Sequence, residues 1–516
     1  MSNDKLQTSP NLNPEQLLAR YAGESCPASL SQLLEIVRLI MGSSDDLVIR
    51  TFYIYGRYEA VMLYINSLVN QQITDQQLQS FMTLPEWLSG TDKLGPEALK
   101  QTLLNKTVHL SEITVVSRMG DLINMLLNGK TIVAVEGLGE AFKFGARKIE
   151  QRAIEQPQTE QVVQGAREGF IEQLHTNLSL LRYRLPTPSF RILICEVGEY
   201  TKTSVAICYM EGIADPKLVS EAENRIRAIR LDGVLDAGYI EQFIEDHHYS
   251  PFPQVMNTEK PDKAVANLLE GRIVILTDGS PFALIIPAVF GQFFQTTEDY
   301  ATRFLQGSFV RMARVIALVF SLVFPSLYVA IISFNPELIP TEFAVAVAGG
   351  RAGVPFPSFV EVLIMEISME VLREASIRLP QQVGGALSIV GVLVVGQSAV
   401  AAGFASPITV VVIALTTIGS FATPAYNAAF ALRMLRFPLI LIAGMLGVYG
   451  VVIGLILIAN HLLTIKSFGM PYLSPAVPVH FRGWRDFLIR APLWILKKKP
   501  SYRQSRRYED KEEGTA

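Results

Sequence analysis

Hydrophobic and polar positions are distributed differently in the two parts of this 516-residue chain. Three runs without Asp, Glu, Lys or Arg, residues 315–334, 385–404 and 438–463, lie in the C-terminal part. A helix of about 20 such residues spans the ~30 Å hydrocarbon core of a bilayer. In the N-terminal part, short apolar stretches alternate with polar and turn residues, as in a globular protein. The pattern predicts a multi-domain protein: two cytoplasmic α/β domains followed by an all-α transmembrane helical domain.

Within the N-terminal part, β-rich runs bounded by turn residues predict strands. These runs are LVIRTFYIYG, EAVMLYINSLV and TIVAVEG in the first domain, and FRILICEV, SVAICYM, RIVILTD and FALIIPA in the second. The spacing of apolar residues predicts helices at DQQLQSFMTLPEWL, DPKLVSEAENRIRAI and AVANLLEG. Each domain is therefore expected to pack helices on a sheet.

Breaks in the pattern divide the chain into six segments. Residues 1–29 are polar, without the apolar core of a signal peptide, and are expected to form a flexible cytoplasmic tail. The other segments are α/β domain 1 (30–150), a connecting helical signature segment (151–188), α/β domain 2 (189–308), the transmembrane helical domain (309–465) and a basic, cytoplasmic C-terminal tail (466–516).

Two further apolar segments, residues 356–379 and 407–432, leave the number of membrane crossings open. Arg311 and Arg314 precede the first apolar run and place its start inside by the positive-inside rule. If all apolar segments crossed, an odd number of crossings would leave the C-terminus outside, although its basic residues favour the inside. We therefore expect that one of the two segments does not cross fully.

The last apolar run contains three glycines at helical spacing. Gly450 and Gly454 are in GxxxG spacing, and Gly447 lies one turn earlier. Small residues placed in this way allow two helices to approach closely. These three glycines are predicted to be helix-packing positions.

Residues 358–380 carry four carboxylates in an apolar setting. Carboxylates near a bilayer are costly and need partners or water. Glu361 lies alone on one side of the predicted helix. The residues that share one arc, about 100° wide on a helical projection, are Glu366, Glu370, Arg373 and Glu374. Because Arg373 cannot neutralise three carboxylates at once, we expect this acidic stripe to face water, cations or a neighbouring subunit.

Three interpretations of this helix stay open from the residues alone. It lies on the membrane with its acids in solvent, it lines a water-filled path in which rings of Glu attract cations, or it packs against another subunit. In the second interpretation, apolar side chains close the path by dewetting. The candidate pore residues are Glu361, Val362, Leu363, Glu366, Ile367, Glu370 and Glu374.

The composition argues against several classes of function. The formal net charge is −3, and no basic stripe marks a nucleic-acid surface. The three cysteines show no CxxC spacing and the six histidines are scattered, so neither a disulfide framework nor a metal site is expected. The glycines of VEGLGEAFKFGARK do not fit a nucleotide-binding fingerprint. We expect no enzyme, no cofactor and no nucleic-acid partner.

Four blocks in order along residues 30–500 resemble the GerA family of spore germinant receptors. They are EQPQTEQVVQGAREGFIEQLHTNLSLLRYRL, NTEKPDKAVANLLEGRIVILTDGSPFALIIPAVF, REASIRLPQQVGGALSIVGVLVVGQSAVAAGFASP and SFGMPYLSP. The first contains a core similar to the family's Gly-x-Arg-Glu-Gly-Phe, with Ala166 where Pro is expected and Gln164 where a basic residue is common. The candidate coupling or subunit-interface residues are Arg167, Glu168, Gly169, Phe170 and Arg373. For the turn, a purely structural role stays open beside the coupling role.

The resemblance implies an A subunit, multi-pass in the spore inner membrane. Its implied partners are membrane lipid, a transporter-like B subunit that binds the nutrient, and a C subunit lipoprotein. Family knowledge further implies that A subunits form a homo-oligomeric ring with a nutrient-gated cation channel, and it favours the pore interpretation. The alternatives are an accessory protein of the dipicolinic-acid release system, a non-conducting scaffold and a transporter subunit.

Overall fold

The computed structural model describes residues 12–85, 94–104, 113–145, 164–377 and 396–477, with Pro157, Glu160, Val162, Val394, Asp486, 489–492 and 494–495. The described residues form two α/β domains and a helical bundle, in that order along the chain. Half of the predicted apolar run 385–404 lies outside the described residues.

Domain 1 is built on a five-stranded antiparallel sheet in the order β1-β2-β4-β5-β3. Its sheet has helices on both faces, each covering a separate apolar core. In chain order its elements are α1 (Pro14–Tyr21), α2 (Leu30–Met41), β1 (Leu47–Ile54), β2 (Tyr58–Ile65), α3 (Gln71–Met82), α4 (Pro96–Thr102), β3 (Ile113–Val116), α5 (Met119–Leu127), β4 (Thr131–Val135) and β5 (Ala141–Phe144).

Domain 2 has a second five-stranded antiparallel sheet, in the order β6-β7-β9-β10-β8. In chain order its elements are α6 (Leu174–Arg184), β6 (Phe190–Val197), β7 (Thr203–Met210), α7 (Pro216–Ala228), α8 (Ala237–Ile244), β8 (Met256–Thr258), α9 (Pro261–Leu269), β9 (Ile273–Thr277), β10 (Ala283–Ile286) and the short helix α10 (Glu298–Ala301). The strands predicted from alternating β-rich runs are thus confirmed in both domains.

The two domains share one topology. The segments 119–144 and 261–286 align without a gap, helix on helix and strand on strand. Glu136 accepts the N–H of Leu30 at the start of α2, at 2.8 Å, and Asp278 accepts the N–H of Leu174 at the start of α6, at 3.1 Å. Each acid is followed by a glycine with φ near +85°. Matching turns and matching helix starts indicate an internal duplication.

This duplication corrects the boundaries predicted for the connecting segment. Helix α6 is the counterpart of α2 and belongs to the core of domain 2, not to a linker. Residues 164–173 are irregular, so this part of the connecting segment is not helical as predicted. The described part of the predicted flexible tail is also ordered, because α1 has a capping box at Asn13 and its Tyr21 is buried in the core of domain 1.

A buried ion pair ties domain 1 to domain 2. Arg182 of α6 is fully buried and donates to both carboxylate oxygens of Asp46, at 2.9 and 3.0 Å. The same guanidinium donates to the Phe190 carbonyl at 3.0 Å. Next to the pair, Asp45 donates its N–H to the Ile192 carbonyl at 3.0 Å. The residues just before β1 in domain 1 are therefore hydrogen-bonded to β6 of domain 2.

The helical bundle follows α10 directly. Two described helices, α11 and α15, are long and apolar enough to cross a membrane. The bundle contains α11 (Phe304–Phe334), α12 (Thr341–Arg351), α13 (Ser358–Ile377), α14 (Pro407–Phe421) and α15 (Tyr426–Thr464). After it, the two-residue strands β11 (Lys466–Ser467) and β12 (Met470–Pro471) form a small hairpin.

The long helix α15 reverses direction at Gly447, which has a φ of +63° and a ψ of −145°. A Cβ at Gly450 would lie 2.4 Å from the Ile442 carbonyl oxygen, and one at Gly454 would lie 2.4 Å from Leu439. In a straight helix these residues would be far apart. Because they are in contact across Gly447, α15 consists of two antiparallel arms, residues 426–446 and 448–464. Gly447, Gly450 and Gly454 thus each lie close to a neighbouring segment, and the predicted run is a hairpin and not one span.

Contacts at the two ends of the bundle fix the direction of each helix. At the end that faces domain 2, Gly419 lies beside the Ala317 carbonyl, and Arg373 donates to Ser420 at 3.0 Å. At the opposite, distal end, Phe334 lies beside Gly447. Helix α11 runs toward the distal end, whereas α13 and α14 run back toward domain 2.

The C-terminal residues return to domain 2. Before that return, both ambiguous segments form helices of the bundle, α13 and α14. The expectation that one of them does not cross fully stays a prediction. Tyr472, fully buried against Phe290, shows that the start of the predicted tail is a folded part of domain 2.

Candidate functional site

The acidic helix α13 pairs its carboxylates with arginines of the α15 hairpin. Arg436 donates to both oxygens of Glu366, at 2.8 and 3.1 Å, and both side chains are about 4% exposed or less. Arg433 lies 3.3 Å from Glu370, which also accepts from Arg373 at 2.8 Å. These contacts overturn the expectation that the stripe depends on water, cations or another subunit for charge compensation.

Glu361 has a different role from the stripe. It is fully buried, accepts the N–H of Ser406 at the start of α14, and lies 3.5 Å from Arg351 of α12. Its carboxylate therefore joins three helices at the distal end of the bundle. Val362 is fully buried in the core of the helical bundle and does not lie on an open surface.

The exposed face of α13 is mostly apolar. Ile367 is 52% exposed, and Ile364 and Val371 accompany it on the same side. Glu374 is exposed at the end of this face that points toward domain 2. Leu363 is half-buried. Of the predicted pore residues, Ile367 and Glu374 lie on the exposed face, whereas the structure turns Glu361, Val362 and Glu366 inward.

Sequence reasoning missed the arginines that complete this cluster. Arg433 and Arg436 follow directly on a long stretch without charges, and lie three residues apart. On a helix this spacing places both side chains on one face, opposite the i,i+4 pair Glu366 and Glu370. The available signal was a pair of carboxylates and a pair of arginines, each at helical spacing in apolar surroundings. Some sixty residues separate the two pairs in the chain.

A second ionic cluster closes the domain 2 end of the bundle. Arg311 is fully buried and contacts Asp299 at 3.3 Å and Asp486 at 3.0 Å. Arg314 contacts Asp299 at 2.8 Å. Arg490 donates to the Thr302 carbonyl at 2.7 Å. The two arginines that served as topology signals are therefore also structural, and they bind residues before and after the bundle together.

The signature turn docks on domain 2. Phe170 is buried in its core and donates its N–H to the Glu259 carbonyl at 2.7 Å, and Gly169 is buried beside it. Arg167 and Glu168 are exposed, with Glu168 paired to Arg184 at 2.6 Å. A structural role is visible for Phe170, whereas coupling through Arg167, Glu168 and Gly169 stays a prediction.

No group of three or more His, Cys, Asp or Glu side chains with the arrangement of a metal site occurs among the described residues. The described cysteines are free and buried. Burial raises the pKa of the Cys26 thiol to about 11, and the carboxylates of Asp121 and Glu140 act in the same direction. A thiol with a raised pKa is a poor nucleophile at neutral pH.

Comparisons with known proteins identify the family of the chain. The family model described as Bacillus/Clostridium GerA spore germination protein matches residues 35–502. The chain is 40% identical to spore germination protein KA of Bacillus subtilis (strain 168), over 92% of this chain and 86% of that protein. It is 36% identical to spore germination protein GerLA of Bacillus cereus, over 93% and 96% of the two chains.

A solved structure also matches the N-terminal half. It is the crystal structure of the N-terminal domain of the A subunit of the Bacillus megaterium spore germinant receptor GerK3, at 33% sequence identity and a TM-score of 0.39. The match covers 52% of this chain and 98% of that one. The family model and the full-length relatives decide the assignment: the chain belongs to the GerA family of spore germination proteins.

Proposed function

We propose that this protein is the A subunit of a nutrient germinant receptor, and that several copies form a cation channel gated by nutrient. The channel lies in the spore inner membrane, with both α/β domains and the C-terminal residues in the cytoplasm. A B subunit that binds the nutrient, a C subunit lipoprotein and membrane lipid are its partners. The protein carries out no enzymatic reaction.

The exposed face of α13 is the observation that supports the ion path. Inside one protomer, Glu366 and Glu370 are neutralised by arginines, so they are not available as rings of free charge. Ile364, Ile367 and Val371 point outward instead. When copies of the chain surround an axis, such side chains make an apolar constriction that stays closed by dewetting.

Glu374 follows this constriction on the domain 2 side. Rings of carboxylates at the mouth of a pore raise the local concentration of cations. The ion pairs between α13 and α15 then set the position of the constriction, because Arg433 and Arg436 fix α13 to a hairpin that packs on domain 2. Movement of domain 2 would reach α13 through these pairs.

The test is conductance of membranes that contain the protein with its B and C partners. Ile367→Ser hydrates the constriction and is expected to give current without nutrient. Glu374→Gln is expected to lower cation selectivity while nutrient dependence stays. Ile316→Ser is the matched control, because Ile316 is 63% exposed on α11 and lies outside the proposed path.

Three results would contradict the proposal. An assembled complex that carries no current with any nutrient, in the wild type and in Ile367→Ser, favours the non-conducting scaffold. Saturable flux of a substrate without conductance favours a transporter subunit. Release of dipicolinic acid that fails in the variants while nutrient responses persist favours the accessory protein.

A further inference from the structure

A cavity of about 270 Å³ lies between domain 2 and the start of α15. Its domain 2 side comes from α8, β8 and the turn before β10, and its bundle side comes from the connection between α14 and α15. The lining residues used below are Glu160, Asp236, Asn257, Phe282, Phe293 and Tyr426. The channel proposed above does not use this cavity.

The cavity offers an aromatic and apolar body. Phe293 is almost fully buried and Phe282 is packed on the core of domain 2. Tyr426, which begins α15, is 53% exposed and forms the side of the cavity toward the bundle. Aromatic faces attract cations as well as apolar groups.

The polar atoms that line the cavity are mainly acceptors. The side-chain amide of Asn257 donates to Glu241 at 2.9 Å, while its buried Oδ1 finds no hydrogen-bond donor among the described residues. Asp236 accepts the N–H of Gly238 at 3.2 Å and a hydroxyl from Ser280. A buried acceptor without a donor is unfavourable, and a ligand carrying a donor would remove this cost.

The electrostatic surroundings are negative. Glu160 lines the cavity and is paired with Lys263 at 2.6 Å, but Asp236 lies there without a cationic side chain among the described lining residues. Glu241, behind Asn257, carries only part of a negative charge at neutral pH, because burial raises its pKa to about 7. A donor that enters this site is favoured if it carries a positive charge.

We propose that this cavity binds a small organic ammonium compound. The ammonium group donates to Asn257 Oδ1 and faces the carboxylate of Asp236. Its apolar body lies against Phe282, Phe293 and Tyr426. An anion is disfavoured by the acids, and a neutral apolar molecule leaves the Asn257 acceptor without a donor.

The site adjoins the ion pairs of the bundle. The guanidinium of Arg433 lies 5.5 Å from the centre of the Tyr426 ring, and Arg433 also pairs with Glu370 of α13 at 3.3 Å. Arg433 thus connects a ligand in contact with Tyr426 to α13, the helix that carries the proposed constriction.

The test uses the full chain in lipid nanodiscs and three probes of similar size: n-butylammonium, n-butanol and butyrate. Binding is measured by calorimetry, and hydrogen exchange reports protection at residues 255–258 and 424–427. We expect n-butylammonium to bind at least tenfold more tightly than n-butanol, and butyrate not to bind. Protection is expected in both segments.

Two variants and one control locate the binding. Asn257→Leu is expected to weaken n-butylammonium binding about tenfold, as loss of a hydrogen bond to a charged group does. Tyr426→Ala is expected to weaken it severalfold, and because Tyr426 is half-exposed this variant keeps the test decisive if Asn257→Leu fails to fold. Tyr239→Ala, which changes an exposed tyrosine of α8 outside the cavity lining, is expected to bind like the wild type.

Equal binding of n-butylammonium and n-butanol would overturn the proposal and leave an apolar void. So would binding that persists in Tyr426→Ala and Asn257→Leu, or no binding of n-butylammonium at all. None of these measurements depends on conductance, so the channel and the ammonium site fail or stand separately.

Discussion

Domains 1 and 2 have the same strand order and the same turns, yet they have different neighbours. The cores of domain 1 consist of its own residues. The core of domain 2 continues into the bundle, where Leu276 and Phe293 belong to one cluster with Leu318 and Leu432. The fold of each copy follows from its local pattern, whereas its mechanical role follows from what lies against its outer surface.

The two domains therefore have different mechanical roles. Domain 2 is fixed to the helices and to the returning chain at Tyr472, so it cannot move without them. Domain 1 is fixed to domain 2 at a small buried junction around Asp46 and Arg182. Four predictions, taken from the largest expected effect to the smallest, test this difference.

Loss of the ion pair between Arg182 and Asp46 should destabilise domain 1 more than the rest of the chain. Arg182→Met leaves Asp46 buried without its cation, which costs about 3–5 kcal/mol. Hydrogen exchange of the full chain should show the loss in domain 1 and around β6. Arg184→Met, on the same helix, breaks an exposed pair with Glu168 and should cost less than about 1 kcal/mol. Similar losses in both variants would mean that burial of the junction does not matter.

Domain 2 should respond to pH through Glu241. Its folded-state pKa is raised from 4.5 to about 7. Between these values the folded domain holds a proton that the unfolded chain releases, so the free energy of unfolding falls as pH rises through this window. Glu241→Gln should abolish the fall, a difference on the order of 2 kcal/mol at pH 8 after allowing for solvent screening.

The measurement is thermal unfolding of the wild type and the variant between pH 5 and pH 8, with hydrogen exchange to separate the domains. Glu223→Gln, in an exposed pair with Arg227, is the control and should keep the pH dependence of the wild type. A slope that survives in Glu241→Gln would assign the titration to another group.

Equivalent glycines should be equally sensitive. Gly137 and Gly279 have φ values of +86° and +85°, and a methyl group added to either would have no neighbouring atom closer than 3.7 Å. Alanine at either position should cost about 1–2 kcal/mol in its own domain, from the left-handed backbone alone. Gly23→Ala, with open space around it, should be nearly neutral. Unequal costs, measured by local hydrogen exchange, would contradict the structural equivalence of the turns.

The smallest effects are expected at the matched helix starts. Glu136→Ala and Asp278→Ala each remove a carboxylate that accepts the first N–H of a helix. Each should cost about 1 kcal/mol, as loss of an N-terminal cap does. Hydrogen exchange at Leu30 and Leu174 would show the two losses separately, and an effect confined to one domain would weaken the inference of a duplication.

Seven of the ten strands in the two sheets could be predicted from sequence, but the short strands β3, β5 and β8 and the duplication could not. Alternating β-rich runs carry a local signal, and each became a strand. The two copies retain few identical residues, such as Gly129 with Gly271 and Ala141 with Ala283, and these do not stand out without the alignment of elements. The hairpin of α15 was also hidden, because apolar residues continue on both sides of Gly447.

The candidate site shows the same limit. The spacing of Glu366 and Glu370 identified a charged stripe on α13, and the residues themselves indicated that it needed compensation. Its partners, Arg433 and Arg436, come from a distant helix, and only the tertiary fold brings them within 3.3 Å. The residue pattern of a helix predicts which side chains share a face. Which residues pack against that face depends on long-range contacts.

The reversal at Gly447 has a consequence for communication across the bundle. It returns the chain to the end of the bundle where both sheets already lie, so nearly all large described polar surfaces are at that end. On the other side, the described chain offers the eleven-residue helix α12 and short connections. A molecule that arrives there meets little of the described polypeptide, so we expect selective recognition at that end to come from a companion chain.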